Sequence, residues 1–278
     1  LALLAALVPE DLGAEVCVYD ETAEPIPLDL EADIVAMTCI TGTASRTYRY
    51  ADYFRSRGMT VFLGGVHPTL MPEEAKGHAD SVFLGMAEET FPQALCDWRT
   101  GQLKPYYREP EGASIAGRPL PRKDLLKKKK YITLNTVEAV RGCCHACTFC
   151  AYPEAFGKKV YTRPVEEIVA EIKSFKGKIV LFPDVNLIAD RAYAVELCKA
   201  LIPLKKWWFG LTTSVIDRDE ELLTLMRKSG CKGLLIGLES VNQATQQGFH
   251  KGVNQVAGYR GLMSSLHKNG IMVMGCFA

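Results

Sequence analysis

The chain has 278 residues, 33 Lys and Arg against 32 Asp and Glu, a formal charge of +1 and 48% apolar residues. That composition excludes disorder, collagen and coiled coil, and the charge balance gives no general pull toward nucleic acid or anionic lipid. No apolar run approaches the roughly 20 residues of a membrane span, and residues 1–8 are too short and uncharged for a signal peptide, so a cytoplasmic protein of about two domains is expected.

Residues 1–8 read as the inside of a helix already under way, and 271–278 is an apolar run with no turn signal after it, so the sequence reads as a fragment missing material on both sides. Short β-branched runs at 15–19, 33–38, 60–63 and 81–84 alternate with helical stretches at 45–57, 72–78 and 89–99. Apolar strands separated by helices imply a parallel sheet covered on both faces, an α/β doubly wound domain over 1–104. Ligands of such sheets sit outside the carboxyl ends of the strands. Those ends are small, Gly-rich and hydroxyl-bearing here, with Thr38, Thr41, Gly42 and Thr43 after one strand and Gly64 and Gly65 after the next. Glycine lets a bulky ligand lie against bare backbone.

Residues 105–130 read as an interdomain linker. Pro105, Pro110, Pro119 and Pro121, with Gly112 and Gly117, oppose regular structure, and the run 127–130 is four solvated lysines. From 131 the alternation resumes, with strands at 131–138, 178–182, 207–213, 233–238 and 271–277. Helices are expected at 164–175, 191–202, 219–229 and in a long region through Asn269. Asp217 or Asp219 would cap the third helix and Gly230 would end it. Five βα-type units in series over 131–278 point to a barrel or partial barrel. Trp207 and Trp208 read as core, and the six scattered cysteines Cys17, Cys39, Cys96, Cys198, Cys231 and Cys276 as buried apolar fillers.

Four of the ten cysteines crowd into 143–150. Cys143, Cys147 and Cys150 have the spacing C-x3-C-x2-C on a loop just after a strand, where Gly142 permits a tight turn. Three thiolates for four irons leave one iron open to chelate a substrate and pass it an electron. A closed zinc site needs a fourth ligand, and Cys144 and His145 are too close in sequence to the others to point at one centre. An ordinary ferredoxin cluster needs a fourth Cys and a different spacing.

The loop from Cys143 to Cys150, with Phe149 before its last cysteine, resembles the signature of the radical SAM superfamily, and the following βα units resemble that family's partial (β/α)6 barrel. The resemblance implies that Cys143, Cys147 and Cys150 hold a [4Fe-4S] cluster and that Cys144 does not. It implies S-adenosylmethionine (SAM) on the open iron, one-electron cleavage to methionine and a 5′-deoxyadenosyl radical, and an electron donor such as flavodoxin or ferredoxin. It places Phe149 beside the adenine, and Asp184, or else Asn186, near the amino group of the methionine moiety. Glu239, at the end of a barrel strand, is suited to a ribose or ammonium group, or else to an ordinary cap or salt bridge.

The segments around Thr38–Thr43 and Gly64–Thr69 are similar to the cobalamin-binding domain that precedes the barrel in one class of that superfamily. This implies cobalamin at Thr38, Thr41, Gly42, Thr43, Gly64 and Gly65. The Asp-x-His-x-x-Gly signature of a lower axial ligand is not in these residues, and His67 is expected to make an ordinary hydrogen bond instead of binding cobalt. The function so implied is cobalamin-dependent methyl transfer to an unactivated carbon of a small molecule. The alternatives are an oxidative cyclase or rearrangement enzyme of the same class, a radical SAM enzyme without corrin, and a non-catalytic zinc or iron–sulfur module.

Overall fold

The structure, a computed structural model, describes residues 1–110 and 113–278; Gly112 of the expected linker lies outside the described residues. Its contacts divide it into two units, 1–132 with 154–156, and 133–153 with 157–278.

The first unit runs α1 (Ala2–Ala6), β1 (Ile34–Thr38), α2 (Ala44–Ser56), β2 (Thr60–Gly64), α3 (Val66–Leu70), α4 (Pro72–His78), β3 (Ser81–Leu84), α5 (Thr90–Arg99) and β4 (Tyr106–Arg108). The strands pair in parallel in that order. Side-chain alternation makes the sheet two-faced. Val61, Leu63, Val82 and Leu84 pack with Tyr48, Ala51 and Phe54 of α2 and Ala75 of α4. Their neighbours Phe62 and Phe83 face the other way, onto Phe91, Ala94 and Leu95 of α5 and Leu4 of α1. Burying each such side chain contributes roughly 1.5–3 kcal/mol.

Two expectations fail here. Residues 15–19 have the composition of a strand but no backbone partner among the described residues, and they are irregular. Without ladder hydrogen bonds a β-branched run gains nothing from extension. Tyr106–Arg108, inside the expected linker, is a strand: Tyr107 turns into the phenylalanine face, stacked 5.4 Å from Phe83, and its hydroxyl donates to Asp97 at 2.7 Å. Pro105 sits just before this strand, where its missing N–H costs no ladder bond.

The second unit contains β5 (Val140–Arg141), the first three residues of α6 (Ala151–Phe156, the last three belonging to the first unit), β6 (Tyr161–Thr162), α7 (Val165–Ser174), β7 (Ile179–Leu181), α8 (Arg191–Leu201), β8 (Trp207–Thr212), α9 (Glu220–Ser229), β9 (Cys231–Glu239), α10 (Gln243–Gly248), α11 (Tyr259–Lys268) and β10 (Met272–Phe277). Among the described residues β7, β8, β9 and β10 form one parallel sheet in sequence order, with helices packed on it around a core that includes Trp208, Ile236, Leu197 and Leu222. Asp219 caps α9 by accepting from Leu222 N at 3.0 Å, and Gly230 ends it in the left-handed region.

The strand expected at 131–138 is reduced to one bridge, Thr136 to Leu181. Tyr131 is drawn away because its hydroxyl donates to Asp20 at 2.6 Å, and Val140–Arg141 turns to pair antiparallel with β6. The long helical region before Asn269 is two helices, α10 and α11. Trp208 is buried, but Trp207 is half exposed and lies under Lys178 and Lys232. Cys39, Cys198 and Cys231 are buried, whereas Cys96 and Cys276 are partly exposed and Cys17 is exposed. No helix among the described residues is long and apolar enough to cross a membrane.

Candidate active site

The cysteine loop leaves β5 through Gly142, whose φ of +112° suits glycine alone. A Cβ there would also strike the carbonyl oxygen of Lys159. Cys143, Cys147 and Cys150 are partly buried on the loop, while Cys144 is exposed. Cys150 N donates to Cys147 O at 3.1 Å, and Thr148 N to Phe249 O at 3.0 Å, which fixes the turn. Burial pushes the Cys143 and Cys147 thiols up; the other thiols of the trio reinforce this, and the Lys251 ammonium pulls Cys147 the other way. Asn186, beside Cys143, pulls that thiol the other way. Burial and then Lys251 hold His145 below its ordinary value. Among the described residues no three His, Cys, Asp or Glu side chains converge as a single metal ion requires. A cubane takes each thiolate on a separate iron and needs no such convergence, so three soft donors in one sheltered loop fit it.

Asp184 and Asn186 follow β7 and are buried. Asp184 Oδ1 accepts from Ala139 N at 2.8 Å and from Val140 N, tying the strand that feeds the cysteine loop to the end of β7. Its Oδ2 has no partner, and neither has Asn186 Oδ1. Burial raises the Asp184 carboxyl to about 7 against the pull of those two N–H groups. An orphaned buried carboxylate oxygen is costly unless a ligand satisfies it.

Glu239 ends β9 with φ +61°, a conformation that costs a non-glycine residue roughly 1–2 kcal/mol. A buried polar network holds it there. Asn254 donates to Gly237 O at 3.0 Å and Leu238 O at 3.1 Å, and accepts from Ser214 at 2.7 Å. Gln246 donates to Leu238 O and, at 2.7 Å, to Ser240 O. Tyr259 OH donates to Leu238 O at 2.6 Å. Glu239 is paired with Lys251, both nine-tenths buried. The missing side chain of Gly237 makes room for the pair: a Cβ there would strike Glu239 Oε1 and lie 2.6 Å from Lys251 Nζ. Lys251 also stands 5.7 Å from the centroid of Phe149, whose ring meets Phe249 edge-on at 5.2 Å. The cysteine loop, Phe149 and Glu239 are thus linked through Lys251, which sequence reasoning missed.

In the first unit, Thr38, Gly64, Gly65 and Gly85 line a cavity of about 60 Å³ at the carboxyl ends of β1–β3, floored by Phe62 and Phe83. Gly65 has φ +103°, and a Cβ there would lie 2.6 Å from Thr38 Oγ1 and 2.8 Å from Cys39 O. The bare backbone at Gly64 and Gly65 lets a ligand approach these strand ends closely. Thr41, Gly42 and Thr43 form an exposed single turn after β1; they do not line the cavity, and a hydrogen bond between Thr41 and His67 fixes the turn's position.

Residues 137–273 match the family model of the radical SAM superfamily and residues 2–95 that of the B12 binding domain. The chain is 29% identical to bacteriochlorophyllide d C-12(1)-methyltransferase of Chlorobaculum tepidum over 93% of its own length and 59% of the relative's. It is 30% identical to bacteriochlorophyllide d C-8(2)-methyltransferase of the same organism, over 100% of its own length and 65% of the relative's. The chain therefore spans about three fifths of the length of these relatives. Its fold is that of the radical SAM methyltransferase TsrM from Kitasatospora setae, solved with tryptophan and a SAM analogue, at TM-score 0.73 and 17% identity over 99% of this chain and 63% of that one.

Proposed function

The chain belongs to the radical SAM superfamily, in the class whose barrel follows a B12 binding domain, and on that premise we propose that it is the cofactor-bearing part of an enzyme that methylates a carbon of a small-molecule substrate. Cys143, Cys147 and Cys150 would hold a [4Fe-4S] cluster, which would supply an open iron for SAM and one electron for cleaving its S–C5′ bond. Thr38, Thr41, Gly42, Thr43, Gly64 and Gly65 would hold a corrinoid, which would supply the methyl carrier.

The chain's own residues handle charge and orientation. Asp184 offers its unpartnered Oδ2 to the ammonium group of the methionine moiety, whose positive charge returns the buried carboxyl to its ionised form. Glu239 accepts from a ribose hydroxyl, and Lys251 meets a carboxylate. Until a ligand arrives the two neutralise each other, which avoids leaving either charge buried and alone. Phe149, half exposed beside Phe249, offers a flat apolar surface to the adenine. Electrons enter one at a time from a donor such as flavodoxin or ferredoxin.

The observation that carries this reading is the loop of three partly buried thiols whose Phe149 lies against Lys251, the partner of Glu239. The test is anaerobic incubation of the reconstituted protein with hydroxocobalamin, reductant, methyl-labelled SAM and a bacteriochlorophyllide, since both named relatives methylate one. Transfer of the label to a carbon of the tetrapyrrole supports the reading. A ring-closed product without label replaces methyl transfer with cyclisation.

A further inference from the structure

The short helix α3 ties together the strand ends that surround the candidate corrinoid crevice. Cys39 N donates to Gly64 O at 3.0 Å and His67 N to Cys39 O at 3.2 Å, joining the ends of β1 and β2. Thr69 Oγ1 donates to Gly65 O at 2.8 Å and accepts from Gly85 N at 3.0 Å, adding the end of β3. The third tie is a side-chain relay. His67 is buried, with Nε2 3.5 Å from Glu74 Oε1 and Nδ1 3.1 Å from Thr41 Oγ1.

The relay has a direction. A carboxylate only accepts, so the Glu74 side sets the proton of the neutral imidazole on Nε2 and leaves a lone pair on Nδ1. The Thr41 hydroxyl must then donate to His67. Thr41 is exposed, and with its one hydrogen committed inward its oxygen meets any ligand as an acceptor only. A phosphate oxygen gains nothing from such a group; an amide N–H does. The corrin periphery carries amide side chains, and its nucleotide tail carries a phosphate.

Resting on the reading that this unit binds a corrinoid, we propose that His67 is a positioning residue: by taking up the Thr41 proton it makes Thr41 Oγ1 an acceptor for an amide N–H of the corrin. The test uses two amides of different reach. In His67→Asn the side-chain oxygen replaces Nδ1 and keeps Thr41 donating inward; in His67→Gln the amide reaches the Nε2 position, keeps Glu74 and abandons Thr41. Hydroxocobalamin titrations followed by visible absorption should give His67→Asn an affinity within about twofold of the parent chain, and His67→Gln one about fivefold or more weaker. Thr41→Val, at an exposed position that leaves α3 intact, should lose as much as His67→Gln. Equal losses in the two His67 variants, no loss in either, or full binding by Thr41→Val overturns the proposal while leaving the corrinoid reading in place. If the parent chain retains no hydroxocobalamin, the corrinoid reading itself falls, and the proposal with it.

Discussion

Asp184→Asn separates the cost of a buried carboxyl from its use. The side chain is buried, one oxygen accepts from two backbone N–H groups, and the other has no partner. Burial raises its value from 3.8 to about 7 in the folded chain. At 1.36 kcal/mol for each tenfold change, that rise corresponds to roughly 4 kcal/mol. Because the folded value lies above the unfolded one, folding favours the protonated form. Below about pH 4 both states hold the proton and the carboxyl costs nothing. From about pH 4 to 7 the unfolded chain releases it while the folded chain retains it, and above 7 the full penalty stands. Asparagine keeps the acceptor for Ala139 and Val140 and carries no charge at any pH. Urea unfolding of the apo chain at half-unit steps from pH 4.5 to 8.5 should therefore show Asp184→Asn gaining on the parent by up to about 4 kcal/mol, with most of the gain before pH 7. SAM affinity should fall about tenfold or more at pH 8, since an amide cannot answer an ammonium group with charge. Parallel stability curves for the two proteins would refute the reasoning.

Three further substitutions test the other parts of the site. Cys147→Ala should abolish cluster assembly, read as iron and acid-labile sulfide, whereas Cys144→Ala, at an exposed position, should leave both near the parent level; equal losses would mean the ligands are misassigned. Gly237→Ala forces a methyl group into the Glu239–Lys251 pair, and should weaken SAM binding at least tenfold while costing about 1–3 kcal/mol in denaturant unfolding, because both side chains can swing aside. Gly65→Ala meets unyielding backbone at Cys39 O and an unfavourable φ, and should abolish hydroxocobalamin retention in gel filtration at a stability cost of roughly 1–3 kcal/mol.

The parts of the fold legible in the sequence are those set by local chemistry. Asp219 and Gly230 bound a helix because a carboxylate caps N–H groups and glycine accepts the left-handed region, and both effects act within a few residues. The cysteine loop is legible because its donors fall within eight positions. Residues 15–19 misled because strand composition does not supply a partner. Tyr106–Arg108 was masked by Pro105, although two adjacent tyrosines amid polar residues were a signal that one side chain is buried. Lys251 and Asn254 were missed because neither carries a periodic or motif signature. Their importance lies in contacts twelve and sixteen or more residues away, at a strand end whose strained φ the sequence does not display.

The most direct measurement is anaerobic incubation of the cluster-reconstituted chain with dithionite and SAM, with chromatography of the products and EPR of the frozen sample. An open iron held by Cys143, Cys147 and Cys150 predicts 5′-deoxyadenosine or a demethylated SAM product in the parent chain, a cluster signal that changes when SAM is added, and neither in Cys147→Ala. A parent chain that leaves SAM intact and shows a signal indifferent to it would contradict the account.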